Sequence, residues 1–204
     1  MTSVRVRSVD LRHPEDEPGH LTFDAVYQKY AQTVARWSAR LGGPNVDVED
    51  IAQEVFLVVN RRLRDFRHQS RVSTWLFSIT ARVVANDRRR RRLRRWWVRL
   101  VPRIDEDVPS PGESPIEQLE KRERRRQFYE ALDGLVERQR RALVLFELEE
   151  LSVAEIAELM DIREGNVRVL LHRARAAFLK EMTAVELREL ARGDVGDGSD
   201  GSAQ

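Results

Sequence analysis

The feature that most constrains the fold is residues 151–175, which read LSVAEIAELMDIREGNVRVLLHRAR. Ser152 can cap a helix through its hydroxyl, and Glu155 stands at the position that completes a capping box. The apolar residues that follow recur at helical spacing: Ile156, Leu159 and Met160. The sequence therefore predicts a short amphipathic helix that begins just after Ser152.

A second helix is predicted directly after the first. Residues 161–164 make a short turn, Gly165 supplies a flexible joint, and Asn166 can cap the new helix. Its inward face carries Val167, Leu170, Leu171 and Ala174, and its projecting side chains include Arg168, His172, Arg173 and Arg175. Two short helices joined in this way can place the second in the major groove of DNA. The glycine, the two caps and the basic second helix favour DNA binding over an ordinary helical hairpin.

The composition excludes several classes of site. The chain of 204 residues contains no cysteine, which excludes disulfides and thiolate metal sites and is typical of proteins in a reducing cytosol. Its four histidines are scattered without metal-ligand spacing, so we expect no metal and no cofactor. No apolar run approaches the roughly 20 residues that span a membrane, and residues 1–10 lack the apolar core of a signal peptide. We expect a cytoplasmic protein without membrane insertion.

The net charge of +2 hides an asymmetry between the two halves of the chain. Residues 1–100 contain 20 Lys and Arg against 11 Asp and Glu, a net charge of +9. Residues 101–204 contain 16 against 23, a net charge of −7. Such a division indicates two surfaces that meet different partners, one of them a polyanion.

Breaks in helical periodicity divide the chain into five segments. These are a polar leader (1–20), a first helical block (21–95), an acidic, proline-rich linker (96–115), a second helical block (116–191) and a Gly/Asp/Ser tail (192–204). The leader and the tail are expected to be disordered. Strand-like alternation of useful length does not occur. We predict an all-α protein of two small helical domains joined by a flexible linker.

Three helices are predicted in the first block. The first carries a stripe typical of a buried helix face: Phe23, Val26, Tyr27, Tyr30, Val34 and Trp37. Residues 41–45, LGGPN, end it because paired glycines and proline disfavour helix interiors. The second helix, capped by Asp47 or Asp50, turns inward Ile51, Val55, Val58, Val59 and Leu63. A polar loop, residues 67–73, leads to the third, which turns inward Trp75, Leu76, Ile79 and Val83.

Residues 88–95, which we call the arginine run, read RRRRRLRR and continue the third helix. A solvated surface usually mixes charges of both signs. Seven arginines of one sign are better explained by contacts to nucleic-acid phosphates, which position a protein without specifying sequence. Nucleic acid is favoured over a membrane surface because no large apolar patch accompanies the charges. Trp96 and Trp97 end the run and could stack on bases, dock into a partner or close the core of the block.

These elements together resemble a known family. Residues 47–56 (DVEDIAQEVF), residues 71–82 (RVSTWLFSITAR) and the arginine run resemble region 2 of bacterial sigma factors. Residues 135–145 (LVERQRRALVL) and the helix-turn-helix that ends at residues 171–175 resemble their region 4. The short length and the absence of an intervening domain are similar to the extracytoplasmic-function (ECF) group of the sigma-70 family. The resemblance covers about residues 21–182.

The resemblance implies a protein that binds core RNA polymerase, directs it to a promoter and helps to open the DNA. It implies contact with the clamp coiled coil of the β′ subunit, with the β flap as a further contact. The residues implied at the coiled coil are Asp47, Glu49, Asp50, Gln53, Glu54 and Phe56. An acidic helix face with amide groups and a phenylalanine suits a basic, partly apolar protein and does not suit DNA.

The resemblance also implies two DNA contacts. At the −10 element, a base of the opened strand is flipped into a pocket, and the implied residues are Arg67, His68, Gln69, Ser70, Arg71, Ser73, Trp75, Arg82, Asn86, Arg88 and Arg89. At the −35 duplex they are Asn166, Arg168, Val169, His172, Arg173 and Arg175. The implied partners are core RNA polymerase, promoter DNA and an anti-sigma factor.

Two other classes of function remain open on the sequence alone. A stand-alone helix-turn-helix regulator would bind duplex DNA by itself, usually as a dimer on paired half-sites. The acidic helix, the separate arginine-rich block and the lack of an obvious dimer zipper argue against it. An enzyme that acts on nucleic acid is less favoured still, because no nucleophile–base pair, phosphate-binding glycine loop or metal cluster stands out. We expect that the chain is not an enzyme.

Overall fold

The computed structural model describes residues 21–66, 70–97 and 114–193. The first bundle consists of α1 (Phe23–Gly42), α2 (Val48–Arg62), a 3-10 turn (Leu63–Asp65) and α3 (Val72–Trp97). The second bundle consists of α4 (Pro115–Asp133), α5 (Glu137–Glu147), α6 (Val153–Leu159) and α7 (Glu164–Gly193). These residues contain no strand, and the prediction of an all-α protein with two helical units is confirmed.

Local side-chain contacts explain where the helices of the first bundle begin and end. At the start of α1, the Thr22 hydroxyl accepts a hydrogen bond from the Ala25 N–H at 3.3 Å. At the start of α2, the cap is Asp47 rather than Asp50: the Asp47 carboxylate accepts a hydrogen bond from the Asp50 N–H at 3.0 Å. Gly43 ends α1 with a φ of 84°, a left-handed conformation that favours glycine. A Cβ at Gly43 would also lie 2.9 Å from Cδ1 of the Tyr129 ring in α4.

The core of the first bundle lies where α1, α2 and α3 face one another. Its fully buried side chains include Val34, Trp37, Val55, Val59 and Leu76. The Trp37 and Phe77 rings meet edge to face, with their centroids 5.2 Å apart. Most of the predicted inward stripes are confirmed. Tyr27 is an exception, because 49% of its surface is exposed and its ring lies at the edge of a groove between α1 and α2.

The second bundle forms around α7, which packs against α4, α5 and α6. Its fully buried side chains include Leu132, Leu145, Ile156 and Val167. The capping box that the sequence predicted at Ser152 and Glu155 is present, and a second one joins Ser114 and Glu117 at the start of α4. The Phe128 and Phe178 rings, 5.2 Å apart, hold α4 against the middle of α7.

Two details of the predicted helix-turn-helix are corrected. Helix α7 begins at Glu164, so Gly165 and Asn166 lie in its first turn, and neither is a joint or a cap. The chain reverses instead at Asp161, which adopts a positive φ of 53°. The Asn166 N–H bonds to the Arg163 carbonyl at 2.9 Å. The helix begins earlier than predicted because the turn at Asp161 has already reoriented the backbone.

The segment boundaries also shift slightly. Helix α3 continues through Trp97, α4 begins at Pro115, and α7 continues through Gly193, so helices occupy both ends of the predicted linker and the start of the predicted tail. The leader (1–20), the rest of the linker (98–113) and the rest of the tail (194–204) lie outside the described residues. The predicted division into domains stays a prediction.

The two bundles pack directly against each other. Helix α5 contacts α1, α6 contacts α3, and the buried apolar side chains of both bundles form a continuous cluster. The sequence predicted a flexible linker between the two domains and made no prediction about a contact between them. Polar side chains cross the boundary as well, among them Arg140, which donates to the Leu41 carbonyl at 2.9 Å.

Candidate protein and nucleic-acid interfaces

The first candidate interface is a groove between α1 and α2, with a volume of about 620 Å³. We call it the aromatic groove; Phe23, Tyr27, Ala31, Phe56 and Leu57 line it. Phe56 forms its floor and is 5% exposed, and the Tyr27 ring stands against it with centroids 4.8 Å apart. Leu57 is half exposed at the rim. Exposed apolar side chains gathered in a groove are typical of a protein-binding surface.

The acidic residues predicted for this interface occupy three different positions around α2. Glu49 and Gln53 line the aromatic groove beside Phe56. Asp50 follows Glu49 by one position, and Glu54 follows Gln53 by one position. Their side chains therefore point in a different direction around α2, beside the groove rather than into it. The Asp47 carboxylate caps α2, which gives it a structural role. The result is an apolar floor with an acidic edge, a surface that attracts basic protein side chains and repels phosphates.

The second candidate interface follows one face of α3. Trp75, Arg82, Asn86 and Arg89 are spaced by seven, four and three residues, so they lie on a single stripe of the helix. Arg82, Asn86 and Arg89 are exposed. Trp75 is half buried, and its ring packs on Phe66 at 4.8 Å. This stripe joins an aromatic ring to two cations and an amide, a combination that suits stacking on bases and contact with phosphates.

The remaining residues predicted to contact the −10 element lie apart from this stripe. Ser70 is exposed, Ser73 is buried, and Arg71 forms an ion pair with Glu158 of α6. Arg88 pairs with Asp133 at 2.8 Å and with Glu137 at 2.9 Å, so its guanidinium is engaged by the second bundle. Arg67, His68 and Gln69 lie outside the described residues.

The third candidate interface is the first half of α7. All six residues predicted to contact the −35 duplex are exposed there: Asn166, Arg168, Val169, His172, Arg173 and Arg175. Arg168 pairs with Glu164 at 2.8 Å one turn earlier. Arg175 pairs with Glu147 of α5 at 3.1 Å and lies 4.9 Å from the centroid of the Phe146 ring. Arg173 makes no ion pair with a described residue, so its guanidinium is available to a ligand.

Comparisons with known proteins identify the two bundles. The family model for sigma-70 region 2 matches residues 26–94, and the model for sigma-70 region 4 matches residues 125–178. The chain is 33% identical to the ECF RNA polymerase sigma-E factor of Escherichia coli (strain K12), over 76% of this chain and 84% of that protein. The chain belongs to the ECF sigma factors of the sigma-70 family.

Other relatives and two solved structures agree with this assignment. The ECF RNA polymerase sigma factor SigE of Mycolicibacterium smegmatis is 31% identical over 81% of this chain and 68% of its own length. The fold is similar to that of the sigma factor RpoE from Bartonella quintana, solved in complex with the anti-sigma factor NepR (TM-score 0.52, 18% identity, 79% of this chain and 96% of that one). It is also similar to CnrH in complex with the cytosolic domain of CnrY (TM-score 0.51, 20% identity, 79% and 88%).

As a sigma factor, the chain binds core RNA polymerase and promoter DNA and directs the initiation of transcription. The prediction of this function is confirmed, and the alternative of a stand-alone regulator is not favoured, because both sigma regions are present in order. Within the part of the chain that the structure describes, no helix is both long and apolar enough to cross a membrane.

Sequence reasoning missed two groups of residues that the structure brings together in this sigma factor. The first is Phe23, Tyr27 and Leu57, which complete the aromatic groove; the available signal was the density of aromatic residues at the start of α1. The second is the set of charged residues between the bundles, above all Arg140 and Glu149, both of them buried. No local pattern marks these two, because their partners are distant in the sequence.

Proposed function

We propose that this sigma factor divides promoter recognition among three surfaces: the aromatic groove for core polymerase, the α3 stripe for the −10 strand and the exposed face of α7 for the −35 duplex. The observation that carries the proposal is the aromatic groove with its acidic edge. Glu49, Gln53 and Phe56, which the resemblance implies in polymerase binding, line this groove together with the exposed apolar side chains of Tyr27 and Leu57. The region 2 and region 4 units act as two domains, each with its own partner.

At the groove, the partner is the clamp coiled coil of the β′ subunit. A helix from this partner would lie between α1 and α2 and bury Tyr27 and Leu57, the two most exposed apolar side chains of the groove. Glu49, Asp50 and Glu54 would pair with basic side chains at its edge. Ion pairs of this kind orient the partner and raise the association rate, whereas burial of the apolar floor supplies the affinity. The second bundle meets the β flap.

At the −10 element, the α3 stripe meets the opened strand. Trp75 offers a ring edge beside Phe66, and Arg82 and Arg89 are in position to contact phosphates on either side of a displaced base. Asn86 adds an amide that can both donate and accept hydrogen bonds.

At the −35 element, the start of α7 enters the major groove. Arg173 is the best candidate for a base contact, because it is exposed and makes no ion pair with a described residue. Arginine can donate two parallel hydrogen bonds to guanine. Arg168 and Arg175 are held by carboxylates and contact the phosphates beside the groove.

The same surfaces suit control by a second protein. An anti-sigma factor that covers the aromatic groove would block polymerase, and the sigma factor RpoE named above was crystallised with the anti-sigma factor NepR. We propose that this chain has an anti-sigma partner as well, that it acts in the cytoplasm, and that it has no catalytic activity of its own.

The groove assignment is tested with a charge reversal beside it. The double substitution Asp50→Arg with Gln53→Ala removes one acidic and one amide group from the exposed side of α2 and leaves the Asp47 cap in place. We expect retention on immobilised core polymerase to fall at least about tenfold while the circular dichroism spectrum is unchanged. The matched control is Asp65→Arg with Ser78→Ala, two exposed residues of the first bundle outside the groove, which should not change retention. Equal retention of both variants would contradict the assignment.

A further inference from the structure

A second cavity, with a volume of about 570 Å³, lies between the two bundles. Its walls come from the second half of α3, from α4 and from the turn between α1 and α2. We call it the arginine cleft, after the six arginines that line it: Arg88, Arg91, Arg92, Arg122, Arg125 and Arg126. The described residues around this cleft include no member of the aromatic groove, the α3 stripe or the exposed face of α7.

The six arginines form two triplets with the same spacing. In α3 they stand at positions 88, 91 and 92, and in α4 at positions 122, 125 and 126. Residues at i, i+3 and i+4 project from one face of a helix, so each helix turns a cationic face to the cleft. Arg89 and Arg90, which interrupt the α3 triplet, point elsewhere and do not line it. The arginine run is therefore divided between the cleft and other parts of the protein surface.

Carboxylates offset part of this charge. Three of them line the cleft and leave its walls with a net charge of +3: Glu123, Glu130 and Asp133. Asp133 also accepts from the buried Arg140 at 3.0 Å, so it is shared with a further cation. Other carboxylates pair with single arginines of the triplets from outside the cleft: Asp87, Glu137 and Glu189. Arg92 keeps its full charge, because it is exposed and makes no ion pair with a described residue.

The pairs that do form hold guanidinium groups in place at the walls. Arg88 donates to Asp133 at 2.8 Å, and Arg91 donates to the Asn45 carbonyl at 2.6 Å. A guanidinium has five N–H donors, so one or two such contacts leave others unused. The Nε of Arg88, for example, is buried and has no acceptor among the described residues. Positioned guanidinium groups with unused donors suit the bidentate recognition of phosphate.

An apolar strip lies beside the arginines. Pro44, Leu119 and the Tyr129 ring line the same cleft, and Leu119 is 67% exposed. Burial raises the pKa of the Tyr129 phenol, which therefore stays protonated at neutral pH and can donate a hydrogen bond. A phosphate group needs only cations and donors, whereas a nucleoside also needs an apolar surface for its base. The cleft offers both, and its volume is within the range of small-molecule sites, roughly 300–1,000 Å³.

We propose that the arginine cleft binds a nucleotide through its polyphosphate chain, with the arginines of α3 and α4 on the phosphates and with Leu119 and Tyr129 beside the base. A strand of nucleic acid is less favoured, because it spreads its charges along an extended backbone, whereas the two triplets converge on one compact space. The inference goes beyond the proposed function and is independent of it, since the cleft shares no residue with the three proposed surfaces.

Binding is measured by isothermal titration calorimetry on the full chain, without DNA or polymerase. The ligands are ATP, GTP, AMP and inorganic tripolyphosphate. We expect the tighter of the two triphosphates to bind at least about tenfold more tightly than AMP, which carries fewer phosphate charges, and than tripolyphosphate, which has no base. Absence of triphosphate binding would overturn the inference. Equal binding of tripolyphosphate and nucleoside triphosphate would overturn the assignment to a nucleotide.

Substitutions of exposed arginines locate the site. Arg92→Ala with Arg122→Ala removes one arginine from each wall of the cleft. The charge-matched control, Arg61→Ala with Arg138→Ala, removes one exposed arginine of each bundle outside the cleft. We expect the first pair to weaken triphosphate binding at least about tenfold and the control to leave it unchanged. Equal losses would show unspecific attraction to positive charge and overturn the inference. Circular dichroism confirms that each variant is folded.

The apolar strip is tested without a change of charge. Leu119→Ala removes the exposed side chain from the cleft, and Ile116→Ala on the same helix, exposed but outside the cleft, is the matched control. We expect Leu119→Ala to weaken triphosphate binding about threefold and to leave tripolyphosphate binding unchanged. A loss of the same size for both ligands, or for neither, would mean that no base lies beside Leu119.

A short fluorescent single strand represents the competing class of ligand. We expect saturating triphosphate to leave its binding to the parent chain unchanged, because strand binding belongs to another surface. Displacement of a more tightly bound strand by the triphosphate would assign the cleft to nucleic acid and overturn the inference.

Discussion

Helices α3 and α7 are both long, and both carry arginines on or beside a proposed DNA face. The carboxylates that pair with these arginines come from different parts of the protein in the two cases. Arg71, just before α3, and Arg88, within it, are held by carboxylates of the second bundle. In α7, Arg168 and Arg175 are held by carboxylates of their own bundle, and the whole face stays exposed. The paired arginines of the proposed −35 face are therefore held within one bundle, whereas those beside the proposed −10 face are held across the contact between the bundles.

The largest effect on this difference is expected from Arg140→Met, which removes the buried cation between the bundles. The Leu41 carbonyl and Asp133 lose their shared partner, so the free energy of unfolding should fall by about 2–4 kcal/mol. Urea denaturation measures the change. Arg138→Met is the matched control, since Arg138 lies on the same helix, is exposed and makes no ion pair with a described residue; its loss should stay below about 1 kcal/mol. Similar losses in both variants would show that Arg140 has no special role.

A smaller effect, and one specific to sequence, is expected from Arg173→Ala in α7. If Arg173 contacts a base, the affinity of holoenzyme for its cognate −35 duplex should fall roughly tenfold, about 1.4 kcal/mol, while binding to a scrambled duplex changes little. Fluorescence anisotropy with the two duplexes gives the comparison. A uniform loss on both duplexes would mean that Arg173 contacts phosphates only.

The corresponding substitution in α3, Arg89→Ala, should have a weaker and less selective effect. Arg89 is exposed on the −10 stripe and is assigned to phosphates, so affinity should fall by about 0.5–1 kcal/mol on every strand tested. The slope of log affinity against log salt concentration should become shallower by about 1 for duplex, and by slightly less for single strands. A loss confined to one sequence would instead place Arg89 on a base.

The smallest effect concerns the start of α4, which leads into the second bundle. Hydrogen bonds from the Ser114 N–H and hydroxyl lower the pKa of Glu117 below its ordinary value of 4.5. A lowered carboxyl pKa stabilises the folded state above pH 4.5, and this contribution is lost as the pH falls through the lowered value. Amide protection factors in the first turn of α4, corrected for the intrinsic exchange rate at each pH, should therefore fall as the pH drops below 4.5, and Glu117→Gln should lower them already at pH 7. In the comparison of the Glu117→Gln variant with the parent chain at pH 7, the first turn of α6 serves as the internal reference, because its capping box keeps Glu155.

Local features of the fold followed from the sequence because they depend on residues a few positions apart. The Ser152–Glu155 capping box joins residues three apart, and the apolar stripes of α2 and α3 repeat every three or four residues. The position of the α7 start was predicted wrongly, since Asn166 is a good cap in isolation but the positive φ at Asp161 had already reversed the chain. Tyr27 was placed in the core because its spacing continues the stripe, but its ring lies against Phe56 at the edge of the groove between α1 and α2 and is 49% exposed.

In the candidate sites, too, some features follow from local sequence and others depend on tertiary packing. Periodicity alone gathers Trp75, Arg82, Asn86 and Arg89 on one stripe, and it places Glu49 and Gln53 one turn apart on one face of α2. The aromatic groove needed tertiary structure, because Tyr27 and Leu57 belong to different helices that meet only when folded. Arg140 and Leu41 lie 99 residues apart, and no pattern in either segment points to the other.

The sequence by itself determined that this chain is helical, where most helices begin, and that it is a sigma factor with regions 2 and 4, because these properties reside in short motifs and local periodicity. Only the tertiary structure decided which charges are free. Arg88 and Arg89 are identical neighbours in the arginine run, yet one is paired with Asp133 and Glu137 and the other is exposed. The reason is geometric. Successive residues of a helix point about 100° apart, and what lies beyond each of them depends on how distant helices pack.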